Sequence, residues 1–236
     1  MAVDAVIFDW GGTLSAHADV DLADMWRLAA RHLDPEREHE LTAALARVEA
    51  EGWDRVMVDQ RAFTLSQILQ QASEATGLDV TEAVLEEAAT HHLDTWTPHI
   101  RHDPEAVPVI AALRDAGLRI ALLSNTHWPR PFHEHFLERD GLVDLIDARL
   151  YTSEMQSTKP HPSSFKAALS AVGVSDPTRA VMVGDRLFDD IFGAKALGMR
   201  TVYRPNRSVP GFDVKPDATI RSLVELIGLI DTWMAE

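Results

Sequence analysis

Short, uninterrupted apolar runs occur at three places in the chain, and each run ends at a polar residue or a glycine. Residues 6–8, 120–123 and 180–183 are entirely apolar, and they are followed by Asp9, Ser124 and Gly184. Runs of this length without alternation are typical of strands that are buried on both faces of a parallel sheet. The pattern therefore predicts a parallel sheet whose carboxyl edge carries polar side chains.

The apolar spacing changes between about residues 18 and 97, where apolar residues recur every three or four positions. The residues that show this spacing include Leu22, Met25, Trp26, Leu28, Ala29, Phe63, Leu65, Ile68 and Leu69. A period of this kind predicts amphipathic helices rather than strands. We therefore expect a small helical bundle inserted after the first strand.

From residue 103 onward, helical segments, glycines and strands follow one another in regular order. The pattern predicts helices over 163–172 and 189–197, each closed by a glycine, and strands over 119–123, 180–183 and 200–203. A loop is predicted over 204–216, and a closing helix from Ile220. This alternation is typical of an α/β protein with helices on both faces of a parallel sheet. We predict a core of residues 1–16 and 101–236 and a small α-helical cap of residues 17–100.

Composition and charge narrow the class of protein. The chain has 236 residues, of which 46% are hydrophobic, and no cysteine, which excludes disulfides, thiol catalysis and cysteine-ligated zinc. A formal net charge of −15 argues against nucleic acid or an anionic membrane surface as a partner. No apolar run approaches the roughly 18 residues of a membrane helix, and residues 1–4 carry no basic segment. We therefore expect a cytoplasmic protein; the pattern specifies no oligomeric state.

Asp9 is the first candidate for chemistry. It follows a predicted buried strand directly, and Gly11 and Gly12 come immediately after it. In α/β enzymes the carboxyl end of a strand is a common position for a nucleophile. Glycines at this point would allow main-chain N–H groups to close around an anion. Taken alone, however, a strand that ends in Asp-x-Gly-Gly is more often an ordinary turn.

Four short motifs occur in order along the chain: residues 9–13 from Asp9 to Thr13, Ser124, Lys159, and residues 184–190 from Gly184 to Asp190. In this order they resemble the four motifs of the haloacid dehalogenase superfamily of phosphohydrolases. The stretches 159–162 and 193–199 also look like family sequence, so the resemblance covers nearly the whole chain. It implies a Rossmann-like core with a cap, in agreement with the apolar pattern.

The resemblance also implies a role for each motif. Asp9 would attack phosphorus and form an aspartyl-phosphate, which water later hydrolyses. Mg²⁺ would bind Asp9, the main-chain carbonyl of Gly11 and Asp185, while Asp189 or Asp190 would hold the waters of the metal. Lys159 would place a positive charge against the phosphoryl group and Asp9. The residues that would bind phosphate or shape the pocket are Trp10, Gly11, Gly12, Thr13, Ser124, Asn125 and Lys159.

Gly11 departs from the family pattern. In the phosphatases of the family, this position carries a second Asp that protonates the leaving group, and such acid catalysis contributes roughly 10²–10⁴-fold. We hypothesise that His17, which follows the motif closely, is the catalytic acid that replaces it. His99 and His102 lie near the expected hinge, where a surface or hinge role is the simpler interpretation.

Two other branches of the family also lack the second Asp. Phosphonate-cleaving members carry a closely similar first motif, but they depend on a cap lysine that forms a Schiff base. Here all four lysines, at positions 159, 166, 195 and 215, follow the predicted cap. Haloacid dehalogenases carry Tyr at the second position and do not need the metal carboxylate. Gly11 together with Asp185 therefore favours Mg²⁺ and phosphate over a carbon–halogen bond.

Histidine and tryptophan are both abundant, and a structural role is the simpler interpretation for most of them. Neither the adjacent pair at 91 and 92 nor the pair at 133 and 135 has the helical spacing of zinc ligands, so we expect surface histidines. Trp26 and Trp96 are expected to pack in the core or between cap and core. Arg130 is expected to be an ordinary surface arginine.

The function that these residues favour is a Mg²⁺-dependent phosphatase that acts on a small phosphorylated metabolite. A cap predicts a small substrate because closure over the site excludes bulky ligands. The alternative is a module that binds phosphate or a partner and has lost turnover through Gly11. A phosphonate- or haloacid-cleaving relative is a further alternative.

Overall fold

A six-stranded parallel sheet forms the centre of the computed structural model, which describes residues 3–235. Met1, Ala2 and Glu236, which the predicted core includes, lie outside the described residues. The order across the sheet is β3-β2-β1-β4-β5-β6. The strands are β1 Ala5–Phe8, β2 Arg119–Ser124, β3 Ala148–Tyr151, β4 Ala180–Gly184, β5 Arg200–Tyr203 and β6 Ala218–Thr219. The predicted strands are present, and the short edge strands β3 and β6 were not predicted.

The two faces of the sheet explain why its central strands are apolar without alternation. Val6 and Phe8 of β1 pack on one side, in a cluster that includes residues of α5 (Ala106–Asp115), α6 (Arg130–Arg139) and α9 (Glu225–Met234). Ala5 and Ile7 point to the other side, where Phe165 of α7 (Pro162–Ala171) and Ala194 of α8 (Gly193–Ala196) cover them. Successive side chains of a strand face opposite sides, so a strand covered on both faces must be apolar throughout. The predicted α/β class, with helices on both faces, is confirmed.

Four α-helices lie between β1 and α5, and we call them the insert. They are α1 Arg27–Leu33, α2 Glu38–Asp59, α3 Leu65–Thr76 and α4 Glu82–Trp96. Their buried side chains, among them Leu45 and Ile68, form a cluster with Trp26, the residue before α1, and this cluster is separate from the two sheet clusters. Leu28 does not join it and is 44% exposed, although it fits the helical spacing. None of the helices in residues 3–235 is long and apolar enough to cross a membrane.

The helices that follow the insert differ from the predicted bounds at two places. They are α5 Ala106–Asp115, α6 Arg130–Arg139, α7 Pro162–Ala171, α8 Gly193–Ala196 and α9 Glu225–Met234. The predicted helix 189–197 is instead a π-helical turn, Leu187–Phe192, that leads into α8. The closing helix begins at Glu225 rather than Ile220, because the Glu225 side chain accepts the N–H groups of Arg221 and Ser222.

Main-chain hydrogen bonds join the insert to the core at its connecting segments, at the turn after α2, and at Leu65, whose N–H donates to the His127 carbonyl at 2.8 Å. The two connecting segments run side by side: Ala16 N–H donates to the Arg101 carbonyl at 2.8 Å, and Asp103 N–H donates to the Leu14 carbonyl at 2.8 Å. The turn after α2 pairs with residues 156–158. There the Thr158 N–H donates to the Gln60 carbonyl at 2.9 Å. The insert is therefore bonded to the core immediately upstream of Lys159.

Three histidines are buried around the joint between insert and core. His92 stacks on Trp26 with ring centroids 3.7 Å apart, and His133 stacks on Tyr151 at 4.6 Å. The expectation that the pairs 91–92 and 133–135 lie at the surface is therefore wrong for one member of each, because a neutral imidazole packs like any other flat ring. Burial lowers the pKa values of His92, His127 and His133 to about 3.

Acid is expected to destabilise the fold, because these three imidazoles must stay neutral in it. The unfolded chain binds a proton at each histidine below about pH 6.5, so each buried histidine lowers the free energy of unfolding by about 1.4 kcal/mol per pH unit below that point. Urea unfolding at several pH values measures the slope. The substitution His127→Phe should reduce the slope by about 1.4 kcal/mol per pH unit, the contribution of one proton, because neither ring nitrogen of His127 makes a hydrogen bond in the described residues. An unchanged slope in this variant would contradict the account; His39→Asn, at an exposed position, is the control.

Candidate active site

Asp9 and Asp185 lie side by side at the carboxyl edge of the sheet. Asp9 follows β1 and Asp185 follows β4, and these strands are neighbours with Phe8 in register with Val183. The Asp9 N–H donates to the Val183 carbonyl at 2.9 Å, which continues the pairing one residue past β1. From β1 the chain continues to β2, towards one edge of the sheet, whereas from β4 it continues to β5, towards the other edge. The crevice between two such strands is the usual binding site in open α/β sheets.

A buried ion-pair cluster occupies this crevice. Asp9, Asp185 and Asp190 each place a carboxylate oxygen within 4.8 Å of the others. The Lys159 ammonium lies 2.7 Å from Asp9 Oδ1 and 2.7 Å from Asp190 Oδ1. The lysine is 1% exposed, so its charge acts on both carboxylates with little screening by water. Three carboxylates face one ammonium, which leaves an excess of negative charge.

Burial and the neighbouring carboxylates shift the pKa values in the cluster. Burial, with a further contribution from the charge of Asp9, raises the pKa of Asp185 to about 6. Burial also raises the pKa of Asp190 to about 8, although Lys159 acts in the opposite direction. Burial alone would lower the pKa of Lys159, but Asp190 and Asp9 hold it above its usual value. The lysine therefore stays charged. The Arg186 guanidinium also acts to lower the pKa of Asp185, but it does not return that pKa to its usual value.

A divalent cation fits the donor set of this cluster. Asp185 Oδ1 is buried and has no hydrogen-bond partner, while Asp185 Oδ2 accepts from Asn206 at 2.8 Å. Carboxylate oxygens are the ligands that hard cations such as Mg²⁺ prefer. Of the two predicted candidates for the metal's surroundings, Asp190 belongs to the cluster. Asp189 lies apart, with Oδ2 3.8 Å from Arg186 Nη1.

Asn125 is bonded to the main chain of Lys159. Its Nδ2 donates to the Lys159 carbonyl at 2.9 Å, and its Oδ1 accepts the Lys159 N–H at 2.8 Å. The side-chain amide that was predicted to bind phosphate oxygens is thus used to hold the lysine loop. Ser124, at the end of β2, is 3% exposed, and its hydroxyl makes no hydrogen bond within residues 3–235. The Ser124 hydroxyl is therefore the group of this motif that is available to a ligand.

The two glycines after Asp9 differ in their surroundings. Gly12 has φ +83°, and a Cβ there would lie 2.1 Å from Asp185 Oδ2. Its N–H donates to the Ser15 carbonyl at 2.9 Å, so it does not face an anion as expected from the sequence. Gly11 is exposed, and no heavy atom lies within 4 Å of the position that its Cβ would take. The fold therefore requires glycine at 12 and leaves open space at 11.

The loop after β5 supplies two residues that were not predicted. Asn206 donates to Asp185 Oδ2, and the Arg204 guanidinium bonds both the Thr13 carbonyl and the Asp103 carboxylate. Thr13 itself is fully buried beneath this contact. Both residues follow a strand at the same edge of the sheet as Asp9, Ser124 and Asp185, so their position in the sequence was an available signal.

Trp10 lies in the core beside the cluster rather than in an open pocket. It is 4% exposed, its ring packs edge-on against His133, and its Nε1–H donates to His102 Nε2 at 2.9 Å. His102 Nδ1 lies 2.6 Å from Asp140 Oδ2, which selects the tautomer with a proton on Nδ1. No local pattern signals this Trp-His-Asp chain, which joins the first motif to the residue that follows α6.

His17 and His99 are exposed at the surface. His17 makes no hydrogen bond, ion pair or ring contact within residues 3–235, and His99 contacts only the edge of Trp96. The structure therefore does not bring His17 into the group of side chains that surround Asp9. Its role as an acid stays a prediction.

Comparison with known proteins gives a family match over most of the chain. The family described as "haloacid dehalogenase-like hydrolase" matches residues 3–198. Glyceraldehyde 3-phosphate phosphatase of Pyrococcus abyssi (strain GE5 / Orsay) is 38% identical over 111 residues, which are 47% of this chain and 45% of that protein. The chain thus spans less than half the length of this relative.

Two solved structures match nearly the whole chain. The HAD phosphatase from Thermococcus onnurineus has a TM-score of 0.66 at 25% identity, with 97% of this chain and 98% of that chain covered. The 2-haloacid dehalogenase from Pseudomonas syringae pv. Tomato DC3000 has a TM-score of 0.71 at 24% identity, with 98% and 99% covered. Phosphatases and dehalogenases share this fold, so the fold alone does not select between them.

The two glycines provide a matched test of the loop. Gly12→Ala is expected to cost at least about 1 kcal/mol of unfolding free energy, because it strains the backbone and meets Asp185. Gly11→Ala should stay within about 0.5 kcal/mol, because its side chain enters open space. Urea-unfolding midpoints of the two variants and the parent measure the difference. Equal midpoints for both variants would show that this loop geometry is wrong.

Proposed function

Because the chain belongs to the haloacid dehalogenase-like hydrolase family, we propose that it is a phosphohydrolase with Asp9 as its nucleophile. The observation that carries the proposal is the position of Asp9. Its carboxylate is 6% exposed at the carboxyl edge of the sheet, bonded to Lys159 on one oxygen and close to Asp185 and Asp190. A structural aspartate has no need of a neighbouring, unsatisfied acid, whereas phosphoryl transfer needs concentrated positive charge and a carboxylate together.

In the proposed reaction, a carboxylate oxygen of Asp9 attacks phosphorus. The bond from phosphorus to the leaving oxygen breaks, its electron pair leaves with that oxygen, and an aspartyl-phosphate remains. Water then attacks the same phosphorus and releases the Asp9 carboxylate and inorganic phosphate. The side chain of Asp9 is already oriented, because Lys159 holds Oδ1 at 2.7 Å and the Asp9 N–H is fixed to Val183.

The neighbouring residues would bind and orient the phosphoryl group. Lys159 would place its charge against the transferring oxygens, and Asn125 keeps it in place through two main-chain hydrogen bonds. The unpaired Ser124 hydroxyl would donate to a phosphoryl oxygen. Thr13 and Gly12 would keep the loop after Asp9 in its shape. These assignments rest on placement in the crevice and on the family pattern.

Mg²⁺ is the cofactor that we propose. Asp9, Asp185 and the Gly11 carbonyl would hold it, and Asp190, with Asp189 as the weaker candidate, would hold its waters. When bound, the ion would offset the repulsion between the carboxylates and a phosphate dianion. The buried, unpartnered Oδ1 of Asp185 is the observation that favours a cation at this point.

A small phosphorylated metabolite is the proposed substrate, with residues 17–100 as a cap over the site. The insert is bonded to the core at residues 156–158, close to Lys159, which is the position expected of a cap beside the site. The relative from Pyrococcus abyssi is named for a small phosphorylated compound. A net charge of −15 disfavours nucleic acid. A Schiff-base mechanism for phosphonate cleavage would need a lysine in the insert, and residues 17–100 contain none.

The nucleophile assignment is tested with an activated aryl phosphate. Asp9→Asn should lower kcat/KM by at least about 10³-fold, because the amide cannot form the covalent intermediate. Asp231→Asn, at an exposed position in α9, is the matched control and should retain activity. Persistence of turnover in Asp9→Asn would remove the proposal. Tight phosphate binding without turnover of any substrate would instead favour the binding module.

The metal assignment predicts a pH-dependent stabilisation. In the metal-free protein, the raised pKa values mean that Asp185 and Asp190 favour folding when they are protonated, and this contribution is lost as the pH rises through about 6 and about 8. A cation binds the ionised forms, so the gain in Tm from Mg²⁺ over EDTA should be larger at about pH 8 than at about pH 5.

Asp185→Asn should remove most of this gain, while Asp231→Asn should leave it unchanged. The gain is measured by thermal unfolding in millimolar MgCl₂ and in EDTA. The same gain at both pH values, or in both variants, would place the cation somewhere other than this cluster.

A further inference from the structure

Gly11, two residues after the nucleophile, has open space where a side chain would lie. Apart from residues 10–12 themselves, no heavy atom of the described residues lies within 4 Å of the position of a Cβ at residue 11. A carboxyl group from another part of the chain would need to reach this space in order to replace a side chain there. Within residues 3–235 no such group is present, so the position contributes neither an acid nor a base.

The groups that surround Asp9 do not supply a free proton either. The Lys159 ammonium is bonded to two carboxylates, and the Arg186 guanidinium does not act as an acid. Both ring nitrogens of His102 are engaged, by Trp10 and by Asp140. His17 is exposed and makes no contact with the cluster. Asp185 and Asp190 are the proposed surroundings of the cation.

We infer that the substrate carries its phosphoryl group on a leaving group that is stable as an anion, as in acyl phosphates and phosphoanhydrides. This inference rests on the proposed function and narrows its substrate class. An alkoxide is strongly basic, and its departure benefits from a proton donor by roughly 10²–10⁴-fold. A carboxylate or a phosphate leaves with its electron pair and needs no proton. Glyceraldehyde 3-phosphate, for which a relative is named, is an alkyl ester, so the two proteins should differ in this respect.

Both steps balance without an acid at position 11. In the first, the bond from phosphorus to the leaving oxygen breaks as the bond to Asp9 forms, and the electron pair stays on the released anion. In the second, water attacks phosphorus, Asp9 leaves as a carboxylate, and the proton of the water passes to a phosphate oxygen. Because no side chain assists the water, this second step is the slower one. The identity of the leaving group therefore affects kcat/KM, which reports the first step, and does not affect kcat, which reports the second.

A pair of substrates of similar size isolates the leaving group. Acetyl phosphate releases acetate, whereas ethyl phosphate releases an alkoxide, and inorganic pyrophosphate represents the phosphoanhydrides. With Mg²⁺ present, the unsubstituted protein should cleave acetyl phosphate or pyrophosphate with a kcat/KM at least about 10²-fold above that for ethyl phosphate. Which of the two is cleaved faster distinguishes an acyl phosphate from a phosphoanhydride as the source of the phosphoryl group.

Two variants at residue 11 locate the cause. Gly11→Asp adds a carboxyl group to the open space, and Gly11→Asn adds an amide of the same shape that cannot transfer a proton. We expect Gly11→Asp to exceed Gly11→Asn by roughly 10²–10⁴-fold in kcat/KM on ethyl phosphate, with little difference on acetyl phosphate. A folding defect would lower the rates on both substrates equally, so a difference between the variants on ethyl phosphate alone reports on the leaving group.

Three results would overturn the inference and leave the proposed function intact. They are cleavage of ethyl phosphate by the unsubstituted protein within about tenfold of acetyl phosphate, equal rates for the two variants at residue 11 on ethyl phosphate, and a selective loss on ethyl phosphate in His17→Ala, which would identify His17 as the acid. If no substrate is cleaved, or if cleavage survives Asp9→Asn, the proposed function itself fails.

Discussion

The ammonium of Lys159 is the interaction on which the rest of the site depends. Two carboxylates, from Asp9 and Asp190, approach it at 2.7 Å in an environment with almost no solvent. Without this cation the buried acids would repel one another and would be protonated or displaced. The surrounding structure is arranged to keep the lysine there: Asn125 bonds its main chain on both sides. Breaking a buried pair by removing one partner costs several kcal/mol, so this arrangement supports both the fold and the chemistry.

The same lysine connects the site to the insert. The Thr158 N–H donates to the carbonyl of Gln60, which has φ +58° and ends α2 in the left-handed conformation. The insert therefore contacts the chain one residue before Lys159, the residue whose ammonium is bonded to Asp9.

Most of the fold and part of the site follow from the sequence, because they depend on local pattern. Apolar runs that end at Asp9, Ser124 and Gly184 predicted the strands, their parallel arrangement and the edge at which the polar residues meet. The four ordered motifs predicted the family. The choice between Asp189 and Asp190 did not follow, since helical spacing gave a regular helix. Asp190 instead points inward, and its Oδ2 accepts the Arg186 N–H within a π-helical turn. Buried histidines and the Trp10-His102-Asp140 chain depend on contacts between distant segments, which no local pattern records.

The fold explains the glycine at residue 12 but not the glycine at residue 11. At residue 12 a side chain would collide with Asp185 and would have to adopt a left-handed backbone, so glycine there follows from the fold alone. At residue 11 neither reason holds, because the backbone is outside the left-handed region and the space is open. Nothing in the fold prevents a carboxylate at this position. For a protein that retains turnover, a leaving group that needs no proton accounts for the absence of a carboxylate without an additional residue.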